Sequence, residues 1–408
     1  MLDFKPPKPN ALFIRVAQWL VPLVLRGPLK ISKFVIDPES LEQIRGIANQ
    51  PMVLVPNHAD YADASIIFTL SKRLGNQFHY MCARETFKGR ISSFFMQRFG
   101  VYSVTRGSID RESFRTTRSL LTEGKHPLVI FAEGEISRQN DTVLPFESGV
   151  VQLCFWALDD MAKADVVKPL YAVPIGIKYI YDDEMWDEIE EALARLEREI
   201  LPQGTPIAND LYGRLRTIGA AIVSILEQEY RLKADENRSL NERIEQLREH
   251  ILSQMEEFMG VTPQTTALPM TRVRALKNLI DAEVYRETEE IPAYERQIHE
   301  QRLEKFQEFY PDLNRLFNFI AIYDGYVGET QSPERFLEVI TRIEREVFGD
   351  SKPRGPRRAF LRFGTPKNLL DYYETYKQNK KQTVQDITLE LETEVQALIS
   401  DMSHQPIQ

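Results

Sequence analysis

The segment Val55-Pro56-Asn57-His58-Ala59-Asp60-Tyr61-Ala62-Asp63 sets an imidazole and two carboxylates directly behind an apolar run. An unperturbed imidazole titrates at about 6.5, so His58 can take a proton from a hydroxyl near neutral pH. Asp63 follows five residues later and can fold back across a strand-to-helix turn. There it would accept a hydrogen bond from the far ring nitrogen, fixing the tautomer and stabilising the imidazolium formed during base catalysis. Asp60 competes for that role, but its earlier position suits it better to capping or holding the loop. By spacing alone such a pair is more often structural or incidental than catalytic.

A second region, Phe131-Ala132-Glu133-Gly134-Glu135-Ile136-Ser137-Arg138, follows another apolar run. Gly134 permits a turn that other residues resist, and Glu133 lies where strand meets loop. Buried there, Glu133 could orient backbone amides or hydrogen-bond a polyol; its plainer roles are helix capping or a salt bridge. Arg106, after the run Val101-Tyr102-Ser103-Val104-Thr105, offers a planar guanidinium suited to phosphate, and Arg138 adds positive potential. No HExxH, phosphate-binding loop, GxGxxG or GxSxG motif is present. No metal cluster is legible, and the chemistry that fits is direct transfer without a covalent enzyme intermediate.

The elements that must carry these residues are readable from periodicity. Residues 51–57 and 127–132 are predicted as buried strands, with further strands at 78–82, 101–105 and 169–177. Helices are predicted at 63–73, 87–99, 109–123 and 148–159. Strands alternating with helices indicate an α/β fold with a mostly parallel or mixed sheet flanked by helices, its reactive loops at strand ends. From residue 184 the pattern becomes purely helical and charged, through 184–200, 210–258, 273–290, 293–309 and 332–347, with 260–272 read as a loop. Leu240, Ile244, Leu247 and Ile251 form a short stripe that fits an internal helical hairpin. A last strand, Ala359 to Phe363, a turn at Gly364-Thr365-Pro366 and a helix at 382–400 follow. One late strand cannot make a sheet alone. The expected organisation is therefore 1–183 for an N-terminal helix and the main part of the domain, 184–350 for a large all-helical insertion, and 351–408 to complete the sheet.

The formal net charge of −9 disfavours nucleic acid as a partner. The two cysteines, Cys82 and Cys154, sit in mainly apolar stretches and read as reduced core residues without a disulfide or zinc spacing. The stretch Ala11–Gly27 is apolar but interrupted by Arg15, Gln18 and Pro22, which argues against a spanning helix. It reads either as an amphipathic helix at a membrane interface, with Trp19 and the flanking Arg26, Lys30 and Lys33, or as a helix packed on the core.

At these residues the chain resembles the phospholipid/glycerol acyltransferase family, which includes lysophosphatidate and glycerol-phosphate acyltransferases. His58 and Asp63, with Asn57 before them, resemble its HX4D motif. Gly100 to Gly107 resembles its arginine block, Phe131-Ala132-Glu133-Gly134 its third block, and Val173-Pro174-Ile175 its fourth. The resemblance extends to Phe360–Pro366, whereas the long helical insertion departs from it. Glu135, Ile136 and Glu147 also depart, each making the expected acceptor pocket less positive.

What the resemblance implies is O-acyl transfer from acyl-CoA or acyl carrier protein to a hydroxyl of glycerol 3-phosphate or a lysophospholipid, with no cofactor. His58 would be the base and Asp63 its support. Asn57, Arg106, Glu133, Gly134 and Arg138 would face substrate, with Pro174 as structural support. The setting would be peripheral, on the cytoplasmic face of a membrane. The departures favour an alternative acceptor, such as another lyso-lipid or an aminolipid. A non-catalytic scaffold built on the insertion, or a thioesterase using water as acceptor, are the competing classes.

Overall fold

The computed structural model describes residues 4–106, 110–233, 235, 237–263, 269–284, 293–320 and 323–404. Two compact units divide the chain: Met1–Asp182 with Gly355–Gln408, and Asp183–Arg354.

The first unit is built on one mixed sheet. Its strands are β1 (Ile31–Ile36), β2 (Met52–Pro56), β3 (His79–Ala83), β4 (Val101–Val104), β5 (Leu128–Val129), β6 (Tyr171–Tyr181), β7 (Arg357–Phe363) and the short β8 (Lys367–Asn368). Their order is β1-β7-β6-β2-β5-β3-β4, with β8 also on β6. From β6 to β4 all neighbours are parallel. β7 runs antiparallel to β6 and parallel to β1. The late strand thus enters the sheet between an early edge strand and the longest strand. The flanking helices are α1 (Ala11–Arg26), α2 (Pro38–Gly46), α3 (Asp63–Arg73), α4 (Gly89–Arg98), α5 (Arg111–Glu123) and α6 (Gly149–Lys163).

β2 is the central parallel strand and is buried along its whole length. Strands covered on both faces need apolar residues at every position rather than at alternate ones, and Met52-Val53-Leu54-Val55 supplies them. Val53 and Val55 join a core with Val150, Phe155 and Leu391. Met52 and Leu54 join another with Val21, Ile66 and Leu70. Cys154 is buried in the first of these cores, while Cys82 is partly exposed, and both are free thiols.

Four elements around the site differ from the sequence reading. β1 and α2 were not expected. β1 is an edge strand of mixed burial containing Ser32 and Lys33. α2 carries its start signal in Asp37, which caps Ser40 N–H at 2.9 Å, followed by a proline. The strand expected at 127–132 shortens to Leu128–Val129. Ile130 N–H still reaches Leu54 at 3.0 Å, and then the chain turns, with Gly134 N–H on the Phe131 carbonyl at 3.1 Å. The strand expected at 169–177 instead continues to Tyr181, because β7 pairs with it through Arg357.

The second unit is entirely helical among its described residues: α7 (Trp186–Ile200), α8 (Leu211–Glu229), α9 (Leu240–Met259), α10 (Pro269–Val284), α11 (Ala293–Ile320), α12 (Tyr326–Glu329) and α13 (Pro333–Phe348). α9 opens with a reciprocal Ser239/Glu242 capping box and closes on left-handed Gly260. Its stripe is buried at Leu247 and Ile251, but the burial continues through Leu252 and Met255, while Ile244 is only partly covered. The segment expected as a loop at 260–272 already holds the start of α10 at Pro269. Residues 264–268 of that loop, residues 285–290 of the helix expected at 273–290, and Gly107 lie outside the described residues.

Back in the first unit, α14 (Tyr373–Gln378) and α15 (Lys380–His404) end the fold. α15 covers one sheet face with Val384, Ile387, Leu391, Val395 and Ile399. Gly176 of β6 lets the helix approach closely, since a Cβ there would lie 2.9 Å from Leu398 Cβ. Leu391 is 1% exposed and Leu389, on the same helix, is 60% exposed. Leu391→Ala is expected to lower stability by about 2–5 kcal/mol and Leu389→Ala by under about 0.5 kcal/mol. Chemical denaturation of the two variants checks that packing of this helix, and not its propensity, holds the sheet.

Candidate active site

The parallel strands β2, β3, β4 and β5 all deliver their C-terminal ends to one edge of the sheet, where ligand sites of open α/β sheets lie. His58 follows β2, Glu85 follows β3, Arg106 follows β4, and Glu133 and Gly134 follow β5.

Beyond Pro56 the β2 backbone leaves the ladder, and asparagine side chains replace it. Asn57 Nδ2 donates to the Ile177 carbonyl at 3.0 Å and Asn57 Oδ1 accepts Ile177 N–H at 2.7 Å. Asn140 makes the same pair of bonds with Tyr179, at 2.6 Å and 2.7 Å. Both asparagines are buried. Their amides mimic a neighbouring strand, satisfying β6 backbone groups that would otherwise be buried and unpaired.

His58 is fixed at its backbone and at its ring. Its N–H donates to Glu133 Oε1 at 2.5 Å, and its carbonyl accepts Ser137 N–H at 2.7 Å and Ser137 Oγ at 3.1 Å. Phe131 stacks on the imidazole with centroids 4.1 Å apart. His58 Nδ1 lies 2.9 Å from Asp63 Oδ2. A carboxylate there accepts a hydrogen bond from Nδ1–H, which leaves Nε2 as the basic nitrogen; the tautomer follows from the hydrogen-bond partners.

Asp63 stands in the first turn of α3 and is fully buried. Its Oδ2 also accepts Asp60 N–H at 2.8 Å, and its Oδ1 accepts the Tyr179 hydroxyl at 2.5 Å. Burial pushes this carboxyl above the usual carboxylate range, against the hydrogen bond and charge of His58 and the Asp60 N–H, which pull it down. Its position at a helix N-terminus also favours the anion. Asp60 does not contact the imidazole: Oδ1 accepts Ala62 N–H at 2.8 Å, and Oδ2 pairs with Arg357 Nη2 at 2.8 Å. Arg357 in turn lies over the Tyr179 ring, 4.6 Å from its centroid.

Glu133 is fully buried, with Oε1 on His58 N–H and Oε2 on Leu144 N–H at 2.9 Å. Burial raises its pKa to about 7, opposed by those two N–H donors. Of the roles open to it from sequence, these bonds match the orienting of backbone amides. Gly134 has φ of +71°, the left-handed region, while a Cβ there would meet only ordinary contacts, so the turn and not the space selects glycine. Asn57 likewise spends its polar atoms on backbone.

Arg106 Nη1 donates to the Gly134 carbonyl at 2.6 Å and to Glu135, and Nη2 donates to Glu85. Arg138 Nη2 donates to the Tyr61 hydroxyl at 2.9 Å, with the guanidinium 5.7 Å from that ring. Pro174 lies in β6 opposite Val55, and its carbonyl accepts Gly364 N–H at 2.9 Å. β8 and β7 stop on either side of it, at Ala172 and Ile175, so its missing N–H costs no ladder bond. Tyr179, Arg357, Asn140 and Glu85 were not singled out from sequence, and Phe131 was read only as part of its motif. Tyr179 sits inside a strand, and Arg357 comes from the far end of the chain. Among the described residues no group of three or more His, Cys, Asp or Glu side chains is arranged to hold a metal ion.

A family model described as Acyltransferase matches residues 34–178. The matched stretch runs from β1 into β6 and contains His58, Asp63, Arg106, Glu133, Gly134, Arg138 and Pro174. No curated protein matches the chain.

Glu133 gives this loop a pH signature. Its ordinary carboxyl pKa in an unfolded chain is about 4.3, and folding raises it to about 7. Between those values the folded protein holds the extra proton, so this group's contribution to stability is complete below about pH 4.3 and is lost as pH rises through 7. Thermal unfolding of the native protein and Glu133→Gln should show the native-minus-variant difference falling by about 3 kcal/mol from pH 4 to pH 9. A difference independent of pH contradicts it.

Proposed function

We propose, starting from an acyltransferase domain at residues 34–178, that this enzyme transfers a fatty acyl group from a thioester donor to a hydroxyl, with His58 as general base. The observation that carries the reading is the 2.9 Å bond from His58 Nδ1 to Asp63, whose carboxylate is buried and held by Tyr179 and Asp60. That bond commits one ring nitrogen and aims the other at the reaction.

In the step that follows, His58 Nε2 takes the proton of the acceptor hydroxyl as its oxygen attacks the thioester carbonyl carbon. A C–O bond forms and the carbonyl electron pair moves to oxygen. Asp63 stabilises the imidazolium without becoming protonated. Collapse of the tetrahedral adduct breaks the C–S bond, and the imidazolium returns its proton to the departing thiolate. The products are an ester and a free thiol, of coenzyme A or of acyl carrier protein. Glu133 and Ser137 act as positioning residues that hold the His58 backbone, and Asn57 ties the residue before it to β6.

Surface features support a lipid setting. No helix among the described residues is long and apolar enough to cross a membrane. α1 buries Ile14, Val21 and Leu25 yet exposes Leu12, Val16, Trp19 and Leu23, so it both packs on the core and presents an apolar face. Exposed Ile91, Phe94 and Phe95 of α4 adjoin it, Phe13 of α1 lying 5.6 Å from the Phe95 ring. Exposed Arg15, Arg26, Lys88 and Arg90 stand on the same two elements and their borders. Apolar side chains with basic neighbours are suited to the interface of an anionic bilayer, and they support a peripheral setting, which this reading puts at the cytoplasmic face of a membrane.

The test is transfer of a labelled acyl group from acyl-CoA and from acyl carrier protein to a panel of hydroxyl acceptors. His58→Ala and Asp63→Asn are each expected to lose about 10³-fold or more in kcat, with folding checked by circular dichroism. Full transfer by His58→Ala ends the mechanism. Release of free fatty acid without dependence on acceptor assigns a hydrolase instead.

A further inference from the structure

Two carboxylates share the turn that carries the base. Asp63 bonds the imidazole, and the Asp60 N–H bonds the same Asp63 oxygen. The Asp60 side chain does not touch the ring, yet its charge reaches the Asp63 carboxyl and pushes it up. Carboxylates near an imidazole favour its charged form. A general base must instead stand unprotonated near its working pH. An offset for the second charge comes from the far end of the chain, within the same compact unit.

Arg357 opens β7 in register with Tyr181 of β6, while Ala359 stands opposite Tyr179. Residues two apart on a strand share a face, so Arg357 lies on the face of Tyr179, where Ala359 presents only a methyl. Its guanidinium sits 4.6 Å from the Tyr179 ring centroid, and Nη2 meets Asp60 Oδ2 at 2.8 Å. The two side chains are 18% and 24% exposed, so salt screens their charges weakly. Well-packed apolar side chains stabilise such a position about as well as an ion pair. A cation there is better explained by its effect on neighbouring charges. The other charged or titratable groups on the elements around the imidazole and Asp63 are Tyr61 of the turn, Glu133, Glu135 and Arg138 after β5, and Tyr179 of β6.

Resting on the acyl-transfer reading above, we infer that Arg357 is a positioning residue for the base: it offsets the Asp60 carboxylate, covers Tyr179, and so keeps the imidazole of His58 neutral and able to take a proton near neutral pH. It acts through Asp60 and Tyr179, and Tyr179 in turn donates to Asp63 at 2.5 Å.

The experiment follows the titration of His58 by NMR of its imidazole in the full chain, beside the pH profile of kcat/KM for acyl transfer, whose acid limb reports the essential base of the free enzyme. Arg357→Gln leaves Asp60 unpaired and favours the imidazolium, so both should rise by about 0.5 pH units or more. Asp60→Asn keeps an oxygen for the Ala62 N–H but leaves the cation unpaired, so both should fall. Asp60→Asn with Arg357→Gln should return both to within about 0.2 pH units of native. Arg357→Lys, which keeps the charge, should move them less than Arg357→Gln does. Lost packing gives no reason for opposite signs, or for one loss to reverse another. If Arg357→Gln does not fold, the fall in Asp60→Asn carries the test, and its absence overturns the inference. A folded Arg357→Gln with an unshifted His58, or a double variant as shifted as the single, overturns the inference and leaves acyl transfer standing. Absence of transfer by the native enzyme to every acceptor overturns the acyl-transfer reading, and the inference with it, wherever His58 titrates.

Discussion

A carboxylate with no access to water governs the site. Asp63 is fully buried, and a buried charge is tolerated only when its oxygens are occupied by donors. The structure provides three: the His58 ring, the Asp60 amide and the Tyr179 hydroxyl. Each donor fixes something else in turn. His58 is given its tautomer, the 58–63 turn its shape, and Tyr179 a reason to face inward from β6. Arg357 secures the outer side by pairing with Asp60 while covering Tyr179. Removing one partner of such a buried arrangement costs about 3–5 kcal/mol, so the geometry is enforced by the cost of leaving it.

That arrangement works only because β6 is held still. β2 ends at Pro56, yet β6 runs on to Tyr181. Asn57 and Asn140 fill the gap, each bonding both backbone groups of a β6 residue with one amide. β7 braces the opposite edge of the same stretch, from Ile175 to Tyr181. A strand encoded after the long helical insertion therefore supports a tyrosine that holds the Asp63 carboxylate. This gives a physical reason for the split arrangement of the first unit: the last fifty or so residues finish the wall behind the site.

The parts legible in sequence were those whose determinants are local. His58 and Asp63 are five residues apart on one turn, and the run before them is apolar at every position, as a doubly covered strand must be. Gly134 announced its turn. The rest depends on which strand ends lie side by side. Tyr179 looks like any strand aromatic until β6 is set beside the 58–63 turn. Arg357 has no visible link to Asp60 across the intervening helices. Arg106 read as a free anion site because nothing in its own segment shows that Glu85 and Glu135 arrive from neighbouring strands. β1 escaped notice because an edge strand with Ser32 and Lys33 lacks both an apolar run and a clean alternation. β5 was drawn too long because apolar content continues through Ile130 and Phe131 after the ladder has ended.

The central claim is that buried Asp63 holds the proton of His58 on Nδ1 and keeps Nε2 free to act as a base. Nitrogen-15 NMR of the imidazoles reports this directly, with the His58 signals identified among the six histidines by their loss in a His58→Gln variant. With the ring neutral, a protonated Nδ1 and an unprotonated Nε2 are expected in the native protein, and an altered tautomer balance in Asp63→Asn. A native His58 that carries its proton on Nε2, unaffected by Asp63→Asn, would contradict the claim.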